Sequence, residues 1–372
     1  MATSQTEPRA LRLSLIAFDR DCAGAGSSVV FLDFMGTIVY TCPLMKRKKE
    51  APGKHYRKGM SLIEAMRMFP DDAASEAWFT RIRWSGRPTC PHCHSDNEQS
   101  GAKHKTMPYR CRTCRKRFSL KSGTVMEASN LGYQIWAVAL YLLLTGLKGV
   151  SSMKLHRDLS ITQKTAWHLA HRLRTAFIEA GPRVVFDGPV EVDETFVGGL
   201  RKNMPKHKRK MLTGRGTEGK IAVVGLKDRE TKKVAARVVS STDGETLQEF
   251  VREHVEPGAE VFTDDARVHR GLTEYEHGTV RHSVGEYVDG HIHTNGIESL
   301  WSMLKRAHKG VYHKLSPKHL ERYVDEFGGR QNIRELDMLD RMTVVAAWLV
   351  GKRLKYRDLI KPNGLPSGAR SG

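Results

Sequence analysis

The chain has 372 residues and carries 61 Lys+Arg against 41 Asp+Glu, a formal net charge of +20. That length accommodates two or three domains, and the basic excess points to a polyanionic partner, nucleic acid before a membrane surface. The longest apolar run, 135–147, is too short to span a bilayer and contains Tyr141 and Thr145, so no membrane partner is expected.

Six cysteines in so long a chain argue against a disulfide scaffold; four of them fall in two C-x-x-C pairs, which in a reducing cytosol means metal before disulfide. Residues 1–58 carry little coherent pattern. The charge run 46–50 reads as solvated, and Cys22 and Cys42 have no close partner in sequence. This segment is expected to be a disordered extension. An amphipathic helix starting just after Met60 suggests that translation begins there, which the N-terminal mass of natively expressed protein would test.

Residues 59–88 give one helix and a lead-in. The next segment, 89–121, holds Cys90-Pro-His-Cys93 and Cys111-Arg-Thr-Cys114. Each pair is a tight knuckle, and a hairpin between them brings four thiolates around one tetrahedral Zn²⁺ with no open position for catalysis. His92 and His94 read as bystanders. Arg112, Arg115, Lys116 and Arg117 crowd the second knuckle, with Tyr109 and Phe118 alternating among the basic residues, as on a nucleic-acid contact surface.

Residues 130–180 are helical. A first apolar helix fills 130–147, with Asn130 as its cap. Ser151 or Ser152 caps a short helix through Leu159, and Thr162 caps a second one whose Ala166, Leu169, Ala170 and Leu173 form one buried stripe. Two helices joined by a tight turn fit a helix-turn-helix. Gln163, Lys164 and His168 would then face a major groove, with Arg172 and Arg174 on phosphates. An ordinary helical hairpin supporting the next domain fits equally well.

The domain over 185–335 opens with an alternating strand, 189–199. Val190, Val192 and Phe196 fall on one face, and Glu191, Asp193 and Thr195 on the other. Alone, this is also the pattern of an edge strand with an acidic outer face. A basic loop, 201–220, contains Lys208, Arg209 and Lys210; it is too polar to pack and is expected to be mobile. Strands follow at 220–228 and 233–240. A helix capped by Thr242 or Asp243 then runs to about Val255, a strand ends at Asp264, and a short strand lies near 279–284. The next helix carries Glu298. The order is α/β with antiparallel first hairpins. Residues 336–372 read as a C-terminal helix and tail.

Asp193, Asp264 and Glu298 stand on three elements that can converge on one side of a sheet. Hard oxygen ligands favour Mg²⁺ or Mn²⁺, and without metal three converging carboxylates would repel one another. Lys305 follows Glu298 by two helical turns and could hold a phosphate near the metal. Asp265, Glu191 and Glu194 are rivals for the metal seats, and His291, His293 and Asn295 lie just before Glu298.

The segments VEVDETFVGG, GRGTEGK, FTDDA and the run from HTNGIESLW to GGRQNIR, in this order behind the CPHC…CRTC ribbon, resemble the transposases of the ISXO-two-like insertion sequences. The resemblance covers roughly residues 60–340. It implies a multidomain protein: a small zinc ribbon, a helical helix-turn-helix-like domain, and an α/β ribonuclease-H-like catalytic domain working by the DDE strand-transfer mechanism. The family's three acidic positions fall on Asp193, Asp264 and Glu298, followed by Lys305. In part of the group an Asn takes the third seat, which would be Asn295 here. Arg330 and Asn332 match polar positions of the closing motif.

The implied function is a transposase. It would bind terminal inverted repeats in double-stranded DNA, hydrolyse phosphodiesters at the ends and join the 3′-hydroxyls to target DNA, as a dimer or larger assembly on nucleoid DNA in a prokaryotic cytoplasm. The rival readings are a catalytically inactive DNA-binding regulator and a structure-selective nuclease on the same fold.

Overall fold

The computed structural model describes residues 30–32, 38–40, 57–84, 86–101, 104, 106–178, 185–199, 202, 204–211, 217–264, 271–280 and 294–367. Two units are distinct, 1–49 and 50–372. In the first, β1 (Val30–Leu32) pairs antiparallel with β2 (Ile38–Tyr40), Phe31 opposite Val39. A disordered stretch was expected here. The triplets VFL and IVY are β-branched and aromatic, which favours pairing.

The second unit opens with two helices where one was expected, α1 (Leu62–Met68) and α2 (Asp72–Arg83). Ser61 and Glu64 form a capping box on α1, and Pro70 followed by the Asp71 cap forces a restart. The ribbon strands β3 (Glu98–Gln99), β4 (Tyr109–Cys111) and β5 (Arg117–Phe118) form one antiparallel sheet. Helix α3 (Tyr133–Thr145) starts after Gly132, not Asn130. Ser151 caps α4 (Ser152–Asp158) and Thr162 caps α5 (Gln163–Thr175) through their side-chain oxygens. The stripe Ala166, Leu169, Ala170 and Leu173 is buried as its spacing requires.

The α/β part comprises β6 (Val190–Val197), α6 (Lys206–Met211), β7 (Ile221–Asp228), β8 (Val234–Val239), α7 (Gly244–His254), β9 (Glu260–Asp264), β10 (Glu276–Val280), α8 (Asn295–Ala307) and α9 (Leu320–Asn332). The strand order is β10-β9-β6-β7-β8. Strands β6, β7 and β8 are antiparallel neighbours, while β9 runs parallel to both β6 and β10. Strand β6 is therefore central, and the edge-strand reading of its acidic face is excluded. Both its faces are covered. Leu247, Phe250 and Val251 of α7 pack with Val190, Val192 and Leu226 on one side. Ile297, Trp301 and Leu304 of α8, with Val324 and Phe327 of α9, cover Val197, Val223 and Val234 on the other. Trp301 lies so close over β7 that a Cβ at Gly225, the partner of Asp193, would sit 2.6 Å from its ring. Part of the basic loop, expected as coil, is helical as α6.

The C-terminal segment does not hang off as a tail. Helix α10 (Met338–Trp348) and its cap Leu349 place Met342, Val345 and Leu349 in the same core as Trp136, Leu140 and Leu173, and as Phe118 of the ribbon. The ends of this core are stitched by Val125 N–H donating to the Leu349 carbonyl and Gly351 N–H to that of Gly123. The last helix is α11 (Tyr356–Ile360). The α/β domain is thus an insertion between parts of one helical core, which a linear reading divides. Among the described residues no helix is long and apolar enough to cross a membrane.

Candidate active site and zinc centre

Asp193 sits at the middle of β6, facing α8. The β6–β9 pairing sets Glu191 beside Phe262, on the face turned to α8. Strand alternation returns Asp193 and Asp264, each two residues further on, to that same face. A cleft of about 500 Å³ opens there, lined by Asp193, Thr195, Glu298, Trp301, Lys305 and Lys309 among others. Burial, then the charges of Glu194, Asp264 and Glu298, push the Asp193 carboxyl up to about 7. Asp264 is within electrostatic reach of Asp193 although it is not among the cleft's lining residues. Helix periodicity puts Glu298 and Lys305 on the same cleft, as expected. Asn295 is exposed at the first turn of α8, outside the lining set. Asp265, His291 and His293 lie outside the described residues.

Glu191, a rival for a metal seat by sequence, is otherwise engaged. It is 1% exposed; one carboxylate oxygen accepts from Arg229 Nε at 2.9 Å, and the other from the Ile297 amide at 2.9 Å. It therefore anchors the N-terminus of the helix that carries Glu298. Lys227 Nζ donates to the Gly296 carbonyl at 2.8 Å and adds a second tie. Alternation put this acid on the face of Asp193, two residues earlier, but its partners, 38 and 106 residues away, left no local signal.

The zinc reading is fully assembled. The Sγ atoms of Cys90, Cys93, Cys111 and Cys114 all lie within 4.8 Å of one another, with Cys90–Cys114 at 3.6 Å and Cys93–Cys111 at 3.5 Å. A tetrahedral site with Zn–S bonds of about 2.3 Å needs sulfur–sulfur edges of roughly 3.8 Å, so the donor set fits structural zinc. The Cys114 amide donates to Cys111 Sγ at 3.4 Å and is the largest cause lowering that thiol to about 6. Behind the knuckles, Trp84, Tyr109 and Phe118 form an aromatic cluster, with Tyr109 stacked on Phe118. These rings belong to the ribbon's core and join it to α2. Arg112, Arg115, Lys116 and Arg117 are exposed on the outside.

On α5, Gln163 and Lys164 are exposed, while His168 bonds the Leu354 carbonyl and sits edge-on to Tyr356. Arg172 and Arg174 depart from the expected exposed, groove-side position, because both turn inward. Arg172 is 6% exposed, donates to the Glu127 carbonyl and lies over the Trp136 ring. Arg174 is 2% exposed and pairs with Glu326 at 2.7 Å. Position along the helix alone could not reveal that α9, and α3 with the loop at Glu127, cover this half of it. Arg209 and Lys210 are exposed on α6; the Lys208 side chain lies outside the described residues. Arg330 and Asn332 have structural contacts. Arg330 pairs with Glu326, and Asn332 bonds both the amide and the carbonyl of Val234.

Residues 185–332 match the family described as the ISXO2-like transposase domain. An uncharacterized transposase-like protein of Haemophilus influenzae is 32% identical over 106 residues, 28% of this chain and 85% of that relative. The chain belongs to the ISXO2-like transposases. Consistent with membership, residues 70–117 match the transposase zinc-ribbon domain and include all four cysteines. An uncharacterized protein in transposable element ISH50 of Halobacterium salinarum is 28% identical over 282 residues, 72% of this chain and 93% of that relative. Asp193, Asp264, Glu298 and Lys305 of this family member all fall inside the transposase-domain match.

Proposed function

We propose that the chain binds the terminal inverted repeats of an insertion sequence, cuts a phosphodiester at each end and joins the exposed 3′-hydroxyls to target DNA. The observation that carries this reading is the parallel β6–β9 register, Glu191 beside Phe262, which continued by two residues reaches Asp193 and Asp264, with Glu298 and Lys305 on the cleft that Asp193 lines. Three antiparallel strands followed by two parallel ones support a ribonuclease-H-like catalytic domain.

Asp193, Asp264 and Glu298 would hold Mg²⁺ or Mn²⁺. The fit rests on an all-oxygen donor set and on a buried carboxylate whose proton is held first by burial and then by the negative charges of Glu194, Asp264 and Glu298. Bound metal supplies Lewis-acid stabilisation of charge on the attacking and leaving oxygens. The protein's own groups do the positioning. Lys305, Arg306 and Lys309 line the cleft mouth and attract the DNA backbone. Glu191 fixes the α8 N-terminus and so the place of Glu298. In the first step water attacks phosphorus and the element's 3′-oxygen leaves as a hydroxyl. In the second that hydroxyl attacks a target phosphodiester, and the target's own 3′-oxygen is displaced. The exposed basic residues of the ribbon, with Gln163 and Lys164 of α5, are assigned to duplex binding. Joining two ends requires at least a dimer on DNA.

The test is an in vitro reaction with Mg²⁺ or Mn²⁺, a labelled inverted-repeat duplex and a supercoiled target. Wild type should give joined product and Asp264→Asn none. Nicking without joining would replace the reading with a nuclease. Salt-sensitive binding without cleavage would replace it with a DNA-binding regulator.

A further inference from the structure

A second cleft, of about 450 Å³, lies in the helical core away from the carboxylates. Its wall combines α3 and α5 with the 127–131 loop and the C-terminal residues Arg353, Lys355 and Tyr356. Its composition is donor-rich and cationic. Arg172, Arg353 and Lys355 line it together with one carboxylate, that of Glu127, which already pairs with Arg353 at 2.9 Å and accepts the Gly123 amide at 2.8 Å. The Arg172 and Arg353 guanidiniums carry like charges beside that single acid, and their repulsion falls when an anion with several acceptor oxygens enters the cleft.

We infer that this cleft is a nucleotide-binding site for a DNA strand, holding it through a backbone phosphate, and that the C-terminal segment completes it. The inference rests on the reading of the chain as a DNA-handling transposase. It adds a site made jointly by α5 and residues 353–356. The flanks support DNA over a small anion. The volume exceeds that of a phosphate, leaving room for the attached sugar. Lys164 and His168, one turn apart in the N-terminal half of α5, both contact Tyr356, which lines the cleft. A strand lying on α5 therefore passes the cleft mouth.

The test uses the zinc-loaded full-length protein and fluorescence anisotropy over a salt series, on duplexes with and without the inverted repeat. Arg353→Ala/Lys355→Ala should weaken binding about tenfold at moderate salt and make the log K against log salt slope shallower by about 2. Arg357→Ala, whose side chain is 77% exposed beside Asp358 and outside the cleft, should change binding far less. Glu127→Gln removes the cleft's negative charge and should tighten binding, a change that damage to the fold would not produce. An unchanged slope in the double variant, or weaker binding by Glu127→Gln, would overturn the inference. So would removal of the difference between wild type and double variant by millimolar inorganic phosphate, which would make the cleft a general anion pocket. If wild type does not discriminate the inverted repeat, the transposase reading loses support, while the slope comparison still tests the cleft on any duplex.

Discussion

The Glu191 carboxylate accepts the Ile297 amide at 2.9 Å, so the strand bearing Asp193 directly holds the helix bearing Glu298. The bond spans 106 residues of chain and is buried. A carboxylate at a helix N-terminus also suits the positive end of the helix dipole. Close approach is tight: a Cβ at Gly296 would lie 2.5 Å from the same carboxylate oxygen.

Glu191→Ala should therefore cut strand transfer by about tenfold or more while every proposed ligand remains. It should also destabilise the fold by about 3–5 kcal/mol, because the buried ion pair between Glu191 and Arg229 is broken. Glu191→Gln keeps an acceptor for Ile297 and should recover more joining than stability. Denaturant melts alongside joining assays check this; equal joining by Ala and Gln variants would remove the positioning role.

Metal binding should depend on pH through Asp193. Its carboxyl is raised from 3.8 to about 7, chiefly by burial. In the metal-free protein the folded state holds a proton between those values that the unfolded chain has lost, so this group makes stability fall as pH rises from about 4 to 7. Metal must displace that proton. Apparent Mg²⁺ affinity should drop by up to about tenfold for each unit below pH 7, and Mg²⁺ should raise the melting temperature more at pH 8 than at pH 6. Calorimetric titration at the two pH values gives the answer, and Asp193→Asn should abolish the pH dependence.

Glu326 is fully buried between two guanidiniums, Arg174 of α5 at 2.7 Å and Arg330 at 3.1 Å. It ties the helical core to the α/β domain. Glu326→Ala leaves two arginines without their acid and should cost about 3–5 kcal/mol. Arg174→Met/Glu326→Leu removes the charges from one pair, but Arg330 still lacks its partner, so it should recover only part of the loss. Urea unfolding with a double-mutant cycle measures the coupling.

Chelating zinc should loosen the ribbon and expose Trp84, which is 7% accessible and packed edge-on against Tyr109 and Phe118. A red shift in tryptophan emission should accompany zinc release, with the four thiols becoming reactive together. Cys93→Ser should show the same spectrum without chelator. An unshifted spectrum on full zinc release would mean that the aromatic cluster stands without the metal.

Much of this protein follows from its sequence by itself. The two C-x-x-C pairs specified a four-sulfur site because zinc dictates ligand type and knuckle spacing. Ser151, Thr162 and Asp243 marked helix starts because orphan amides need a local oxygen. The acidic alternation of β6 located Asp193, since strand side chains must alternate. Tertiary structure alone decided the rest. Whether the acidic face of β6 was an edge or the centre of a sheet depended on β9 pairing from 70 residues away, roughly, in sequence. The inward turn of Arg172 and Arg174, and the work of Glu191 on Ile297, depended on partners that local pattern does not encode. So did the return of α10 into the first core. Apolar periodicity tells a helix which face to bury, and only the completed packing tells it against what.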